Sequence, residues 1–221
     1  MKRRTVGKRP VEATLRRDLD SLQEYTPIQL PGSLPDDGRG PGGRIVKADG
    51  NENVYGPSPR VLKALAAYDG YHIYPDPDQR LLRKALARYT GVAAEHIVAG
   101  AGSDEIIDLL LRLVVEPKDE TITATPTFGM YTFSTQVCGG KPVEVPRTSD
   151  YHVDTQAVLG AVTKRTKAIF IASPNNPTGT LTSRKAVLEL LESDLLVVID
   201  EAYYEFCGET VADLVPKHEN L

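Results

Sequence analysis

Apolar positions along this chain alternate between two periods. From about residue 45, short continuous apolar runs exchange with stretches in which apolar residues recur every three or four positions. The runs at Ile97–Ala99, Thr121–Thr125, Pro142–Val145, Ala168–Ala172 and Leu195–Ile199 predict strands. The segments between and beside them, at about 103–115, 128–138, 154–163 and 183–193, predict helices. Each gap can hold the crossover that parallel strands require, so the pattern predicts an α/β fold with a mostly parallel sheet. Upstream, Ser58-Pro59 reads as a cap followed by proline at the first helical position, ahead of Val61, Leu62 and Leu65. A further helix is expected after Asp78, through Leu81, Leu82, Ala85, Leu86 and Tyr89.

The first 44 residues read differently. Val11, Leu15, Leu19 and Leu22 share one face of a short amphipathic helix, and the prolines and glycines that follow predict a flexible arm. The division expected is therefore 1–44, a basic tail, helix and arm, and 45–221, a large α/β domain. At 221 residues the chain can bury roughly 70% of the surface its unfolded form exposes, so one large domain is affordable on length.

Charge is unevenly placed. Residues 1–17 carry a formal +6 and the remaining 204 carry −10. A basic arm can bind nucleic acid, but without interleaved aromatics or a wider basic surface it reads as a solvated tail. No run approaches the ~18 apolar residues of a membrane span, and no apolar stretch of a secretory signal follows Met1–Arg4. Cys138 and Cys207 are too few for a disulfide framework and, with His72, His96, His152 and His218 scattered, lack metal-ligand spacing. The expectation is a protein of the reducing cytoplasm, with no metal, nucleic acid or membrane partner.

Ligands of open α/β sheets gather at the carboxyl ends of the strands, where three polar clusters fall. Gly100-Ala-Gly-Ser-Asp-Glu105 leaves a predicted strand and opens a helix, so the backbone N–H groups around Gly102, Ser103 and Asp104 can hold a phosphate; equally, Ser103 can cap the helix with acids in its first turn. Ser173-Pro-Asn-Asn-Pro-Thr-Gly179 is a turn by composition, and its prolines would hold an asparagine amide still against a ligand oxygen. Asp200 ends five consecutive apolar residues, a costly place for a carboxylate unless a cation lies nearby. A pyridinium would supply one: at ~4 Å and an effective dielectric near 20 the pair gains about 4 kcal/mol, roughly three pKa units before desolvation.

Two nucleotide readings fail on spacing. A dinucleotide fingerprint needs a third glycine where Glu105 stands. The run Leu195–Ala202 is like the acidic strand of a P-loop ATPase, but Gly7-Lys8 and Gly140-Lys141 lack the spaced glycine and hydroxyl residue of the phosphate loop.

Six segments, taken in order, resemble the fold-type I pyridoxal-phosphate aminotransferases, their histidinol-phosphate branch most closely. They are Asn51–Pro59, Tyr74-Pro-Asp-Pro77, Gly102–Glu105, Pro126-Thr-Phe-Gly-Met-Tyr131, Ser173–Gly179 and Asp200–Phe206. The resemblance implies a three-layer large domain with pyridoxal 5'-phosphate as cofactor. It also implies amino transfer between glutamate or 2-oxoglutarate and an imidazole- or aromatic-bearing phosphorylated amine. Asp200 would pair with the ring nitrogen, and Asn176 and Tyr203 would bond the phenolic oxygen. Gly102, Ser103 and Asp104 would hold the phosphate, and Phe128, where many relatives have tyrosine, would stack on the ring. Tyr55 is matched to a residue that reaches the neighbouring subunit's phosphate, which implies a homodimer; in its motif Val54 stands where proline is usual. Tyr25 is matched to a substrate-side tyrosine of the arm. A threonine-phosphate decarboxylase or an aromatic aminotransferase would share these motifs, and a noncatalytic binder would keep Asp200 and Asn176.

The family's Schiff-base lysine follows the aspartate by about thirty residues in a Ser-x-x-Lys motif, and counting from Asp200 passes Leu221. Lys185 opens an amphipathic helix with Ala186, Val187, Leu190 and Leu191 as its buried face, and Lys217 lies in a polar stretch, so both read as solvated. The expectation is that these 221 residues cover the first three-fifths of the enzyme, are inactive alone and leave a sheet edge open.

Overall fold

A computed structural model describes residues 48–221, together with Arg16 and Leu22. The predicted helix over 11–24, apart from those two residues, and Tyr25 lie outside the described residues. The chain divides into a unit of residues 24–78 and a unit of residues 1–23 with 79–221.

In the first unit, Asn53 closes a turn: its Oδ1 accepts from the Tyr55 amide and its Nδ2 donates to the Gly56 carbonyl, both at 3.1 Å. Gly56 sits at φ +71°, a left-handed conformation a side chain would resist. The turn presents Tyr55 almost wholly to solvent. Helix α1 (Pro59–Ala67) begins as the sequence predicts, with Ser58 Oγ accepting from Arg60 N and proline at its start. Tyr68 and Tyr71 then meet edge to face at 4.9 Å, and the Tyr71 hydroxyl donates to Leu65 O.

The second unit is a three-layer α/β sandwich. Its strands β1 (Glu120–Thr125), β2 (Lys141–Pro146), β3 (Thr166–Ala172) and β4 (Leu196–Asp200) form one parallel sheet in the order β2-β1-β3-β4. Alternate side chains of each strand enter opposite layers. Ile122, Ile169, Ile171 and Val197 pack on α5 (Thr155–Gly160) and α6 (Arg184–Leu191) through Val158, Val187 and Leu190. Ala168, Phe170 and Ala172 pack on α3 (Ser103–Val114) and α4 (Met130–Val137) through Ile107, Leu111 and Tyr131. Burial on both faces explains the near-continuous apolar runs of β3 and β4. No helix among the described residues is long and apolar enough to cross a membrane.

Helix α2 (Arg80–Thr90) follows Asp78 as expected, one residue later, with Gln79 in a left-handed conformation at its start. The predicted strand Ile97–Ala99 is not formed. Its backbone is instead bonded by a side chain, since Gln79 Nε2 donates to Ala99 O at 2.9 Å and Ala99 N donates to Gln79 Oε1 at 3.2 Å. That amide satisfies both polar groups of Ala99, as a neighbouring strand would.

At the amino end of the sheet Glu120, 2% exposed, accepts from Thr163 Oγ1 and Arg165 Nη2. These bonds, Thr163 first, hold its carboxyl below the usual range. Because the folded value lies below the unfolded one, the stabilisation is complete above the ordinary carboxylate range and is lost as pH falls through the folded value. Glu120→Gln should therefore flatten the acid limb of a Tm-against-pH curve and lower Tm at neutral pH; an unchanged acid limb would refute the assignment.

Candidate functional site

Chain reversal at β1 places the site. From β1 the chain crosses to β2 on one side, and from β2 it returns to β3 on the other, so the loops after β1 and β3 part at their carboxyl ends. A crevice at such a point is where open sheets hold ligands.

A cleft of about 210 Å³ lies at this edge. It is larger than the ~150 Å³ cavity that admits benzene, so it has room for one substituted ring. Its walls bring together Gly102, Ser103, Asp104, Phe128, Asn176, Asp200 and Tyr203, residues drawn from the start of α3 and from the segments that follow or end β1, β3 and β4. Tyr55 belongs to the other unit.

Asp200, the last residue of β4, is held from two sides. Its Oδ1 accepts from Ala202 N at 2.9 Å and its Oδ2 from the Tyr131 hydroxyl at 2.8 Å. Tyr131 is 1% exposed, stacked on Phe170 at 5.3 Å and edge-on to Phe128 at 5.7 Å. Burial first, then the Asp200 charge, pushes its hydroxyl pKa far above the ordinary tyrosine value, so it remains a proton donor to the carboxylate. The Phe128–Tyr131 pair is thus both core packing and cleft wall, with Phe128 in the loop ahead of α4 set edge-on against the ring of Tyr131 in its first turn.

The amino end of α3 departs from one sequence expectation. Ser103 does not cap the helix; Gly102 occupies the cap position at φ +85° with no side-chain cap bond. Glu105 instead turns back to accept from Ala101 N. The first-turn N–H groups of a twelve-residue helix therefore face the cleft without a side-chain cap, which suits an anion. Asp104 sets a negative charge beside them, so any phosphate contact there falls to the backbone.

The asparagine loop is fastened by a residue the sequence did not single out. Asn175, 2% exposed, accepts at Oδ1 from Thr127 Oγ1 and Arg147 Nη2, and donates through Nδ2 to Pro126 O and Thr178 Oγ1. Its neighbour Asn176 is left at the cleft. Nothing in the local sequence signals Arg147, because its partner Asn175 is 28 residues away.

Among the described residues that line the cleft there is no lysine. Lys185 and Lys217 are exposed and ion-paired with Glu189 and Asp213 on their own helical turns, in keeping with solvated positions. No cluster of three or more potential metal ligands occurs among the described residues.

Residues 45–221 match the family model for aminotransferase class I and II. Histidinol-phosphate aminotransferase of Roseiflexus castenholzii is 47% identical over 217 residues, covering 96% of this chain and 58% of that protein. The enzyme of the same name from Dehalococcoides mccartyi strain BAV1 is 45% identical over 207 residues, covering 94% and 56%. The crystal structure of histidinol-phosphate aminotransferase from Sinorhizobium meliloti in complex with pyridoxal-5'-phosphate superposes with a TM-score of 0.65 at 32% identity, covering 71% of this chain and 44% of that one. The chain thus spans a little over half the length of these curated relatives. Its three-layer parallel sheet is the large-domain architecture of fold-type I aminotransferases, and the chain belongs to the class I and II aminotransferase family.

Proposed function

We propose that this chain supplies the ring- and phosphate-holding part of a pyridoxal-phosphate site, and that the whole protein transfers an amino group between histidinol phosphate and 2-oxoglutarate. The observation that carries the reading is a doubly anchored carboxylate, Asp200, facing the same cleft as Asn176, Tyr203 and the uncapped start of α3. These groups fit the cofactor: an anion for the ring nitrogen, donors for the phenolic oxygen, backbone N–H groups for the phosphate and an aromatic face in Phe128.

Bound there, the cofactor supplies an aldehyde carbon that takes up an amino group and a pyridinium ring that accepts an electron pair. Asp200 would keep the proton on the ring nitrogen, since the gain of about 4 kcal/mol for such a pair favours the charged ring. Tyr131 and the Ala202 amide hold that carboxylate in place at the cleft, and Asn176 and Tyr203 would donate to the cofactor's phenolic oxygen. The amine that moves the proton between substrate and cofactor is assigned to a part of the whole protein other than the cleft wall described above. Tyr55 would complete the phosphate site of a second copy in a homodimer, and Tyr25 would face the substrate. Two free cysteines, Cys138 and Cys207, accord with a reducing compartment such as the cytoplasm.

Titration of pyridoxal 5'-phosphate into purified residues 1–221, followed by absorption and fluorescence, is expected to show saturable binding that Asn176→Ala weakens, with no transaminase turnover. Turnover by these residues alone would overturn the assignment of the amine. Failure of the whole protein to bind the cofactor would overturn the site.

A further inference from the structure

Arg147 follows β2 directly and its side chain runs beneath the cleft's loops. The backbone N–H of Arg147 donates to Thr125 O at 2.8 Å, extending the β1–β2 pairing by one rung. From there Nε donates to Ala124 O at 3.0 Å, Nη1 to Tyr151 O at 3.2 Å and Nη2 to Asn175 Oδ1 at 2.9 Å. One guanidinium thus ties the carboxyl ends of β2 and β1 to the loop after β3, across the point where those loops part.

The placement is expensive. Arg147 is only 8% exposed, and no carboxylate among the described residues pairs with it. All three of its bonds go to neutral oxygens, although a buried cation is ordinarily matched by an anion. A neutral side chain could brace the loop at lower cost, so the charge and fork geometry have to do something a neutral residue would not.

What they do is fix an amide. Asn175 uses its full hydrogen-bonding capacity, two bonds accepted at Oδ1 and two donated from Nδ2. Turning the amide over would set its NH₂ against a guanidinium, which has no acceptor, so only one orientation is open. The backbone of the same residue closes the turn: Asn175 N donates to Thr180 O, and Gly179 N donates to Asn175 O at 2.7 Å. Asn176 is the next residue along, inside that turn and at the cleft.

We propose that Arg147 is a positioning residue: by donating to Asn175 Oδ1, its buried guanidinium fixes the Asn175 amide and thereby the aim of Asn176 into the cofactor cleft. The inference rests on the reading that Asn176 donates to the cofactor's phenolic oxygen. Arg147 itself touches neither cofactor nor substrate.

The test uses the whole protein, with Arg147→Met, which keeps the length but removes every donor, and Arg147→Lys, which keeps the charge but loses the fork. Arg147→Met is expected to weaken pyridoxal 5'-phosphate binding about tenfold, the worth of one hydrogen bond to a charged group, and to shift the bound cofactor's absorption band. The amide protons of Asn175 and Gly179, the donors of that turn, should exchange faster in the cofactor-free protein. Arg147→Lys should fall between Met and the unsubstituted protein, and carries the test if the Met variant does not fold. A lowered Tm with cofactor affinity and absorption band unchanged in both variants would overturn the proposal, leaving Arg147 a purely structural brace. If the unsubstituted protein binds no cofactor, the reading of the site fails, and the exchange rates still decide about the turn: faster exchange at Gly179 supports Arg147 as its holder, and unchanged exchange rejects it.

Discussion

Asp200→Asn in the whole protein is expected to lower kcat/KM for transamination by about a thousandfold, because the ~4 kcal/mol of charge pairing it removes corresponds to nearly three factors of ten. Stability should change little. The asparagine is nearly isosteric and can still accept from Ala202 N, while the Tyr131 hydroxyl can reverse and accept from the new amide. Asp200→Ala is a different experiment, since it leaves the buried Tyr131 hydroxyl without its partner at an added cost of about 1–3 kcal/mol. The pair of variants therefore separates the charge from the scaffold, with kcat/KM reading the first and Tm the second. Activity of Asp200→Asn within tenfold of the unsubstituted protein would remove Asp200 from its assigned role. On the proposed role, in which Asp200 holds a proton on the ring nitrogen, the loss should appear in kcat as well as KM, and should ease toward acidic pH, where solvent protonates that nitrogen unaided.

The second large effect is on the scaffold. Phe170 is 1% exposed on β3, flanked in the sheet by β1 and β4, with its ring stacked on Tyr131. Phe170→Ala should cost about 3–5 kcal/mol, which combines lost burial with the cavity left between sheet and α4. For a chain of this size that is a fall in Tm of roughly 10 °C. The consequence extends to the cleft, because Tyr131 loses the surface that sets its ring and with it the aim of its hydroxyl at Asp200. Cofactor binding should weaken along with stability, whereas Phe170→Leu, which fills most of the space, should retain most of both. A thermal or denaturant unfolding series checks this, and a loss below about 1 kcal/mol for the alanine variant would show that the site collapses around the gap.

Strand positions were legible in the sequence because both faces of this sheet are buried. A strand covered on both sides must be apolar throughout, so β3 and β4 announce themselves to within two residues. Ile97–Ala99 carries the same apolar signal, yet a strand is defined by its neighbours, and there the Gln79 amide takes the neighbour's place. Composition cannot distinguish those partners. The amino end of α3 stayed open between two readings for a related reason: Ser103 is a favourable cap by type, but Gly102, free to adopt φ +85°, takes the cap position and leaves Ser103 inside the first turn.

Most residues proposed for the ligand stand out in sequence because they lie where a strand ends or a helix opens and polar groups interrupt an apolar run. Those that position them do not. Tyr131 reaches Asp200 across 69 residues and Arg147 reaches Asn175 across 28, and neither separation leaves a trace in local pattern.

By itself, then, the sequence determined the α/β class, the parallel sheet and the strand-end residues proposed to hold pyridoxal phosphate, because local periodicity and turn chemistry encode where strands stop. Only the tertiary structure decided which of those ends share one cleft, that Tyr131 rather than solvent holds the Asp200 carboxylate, and that a buried Arg147 fastens the loop bearing Asn176. Such contacts are set by strand order and side-chain reach, and these exist only once the sheet has assembled.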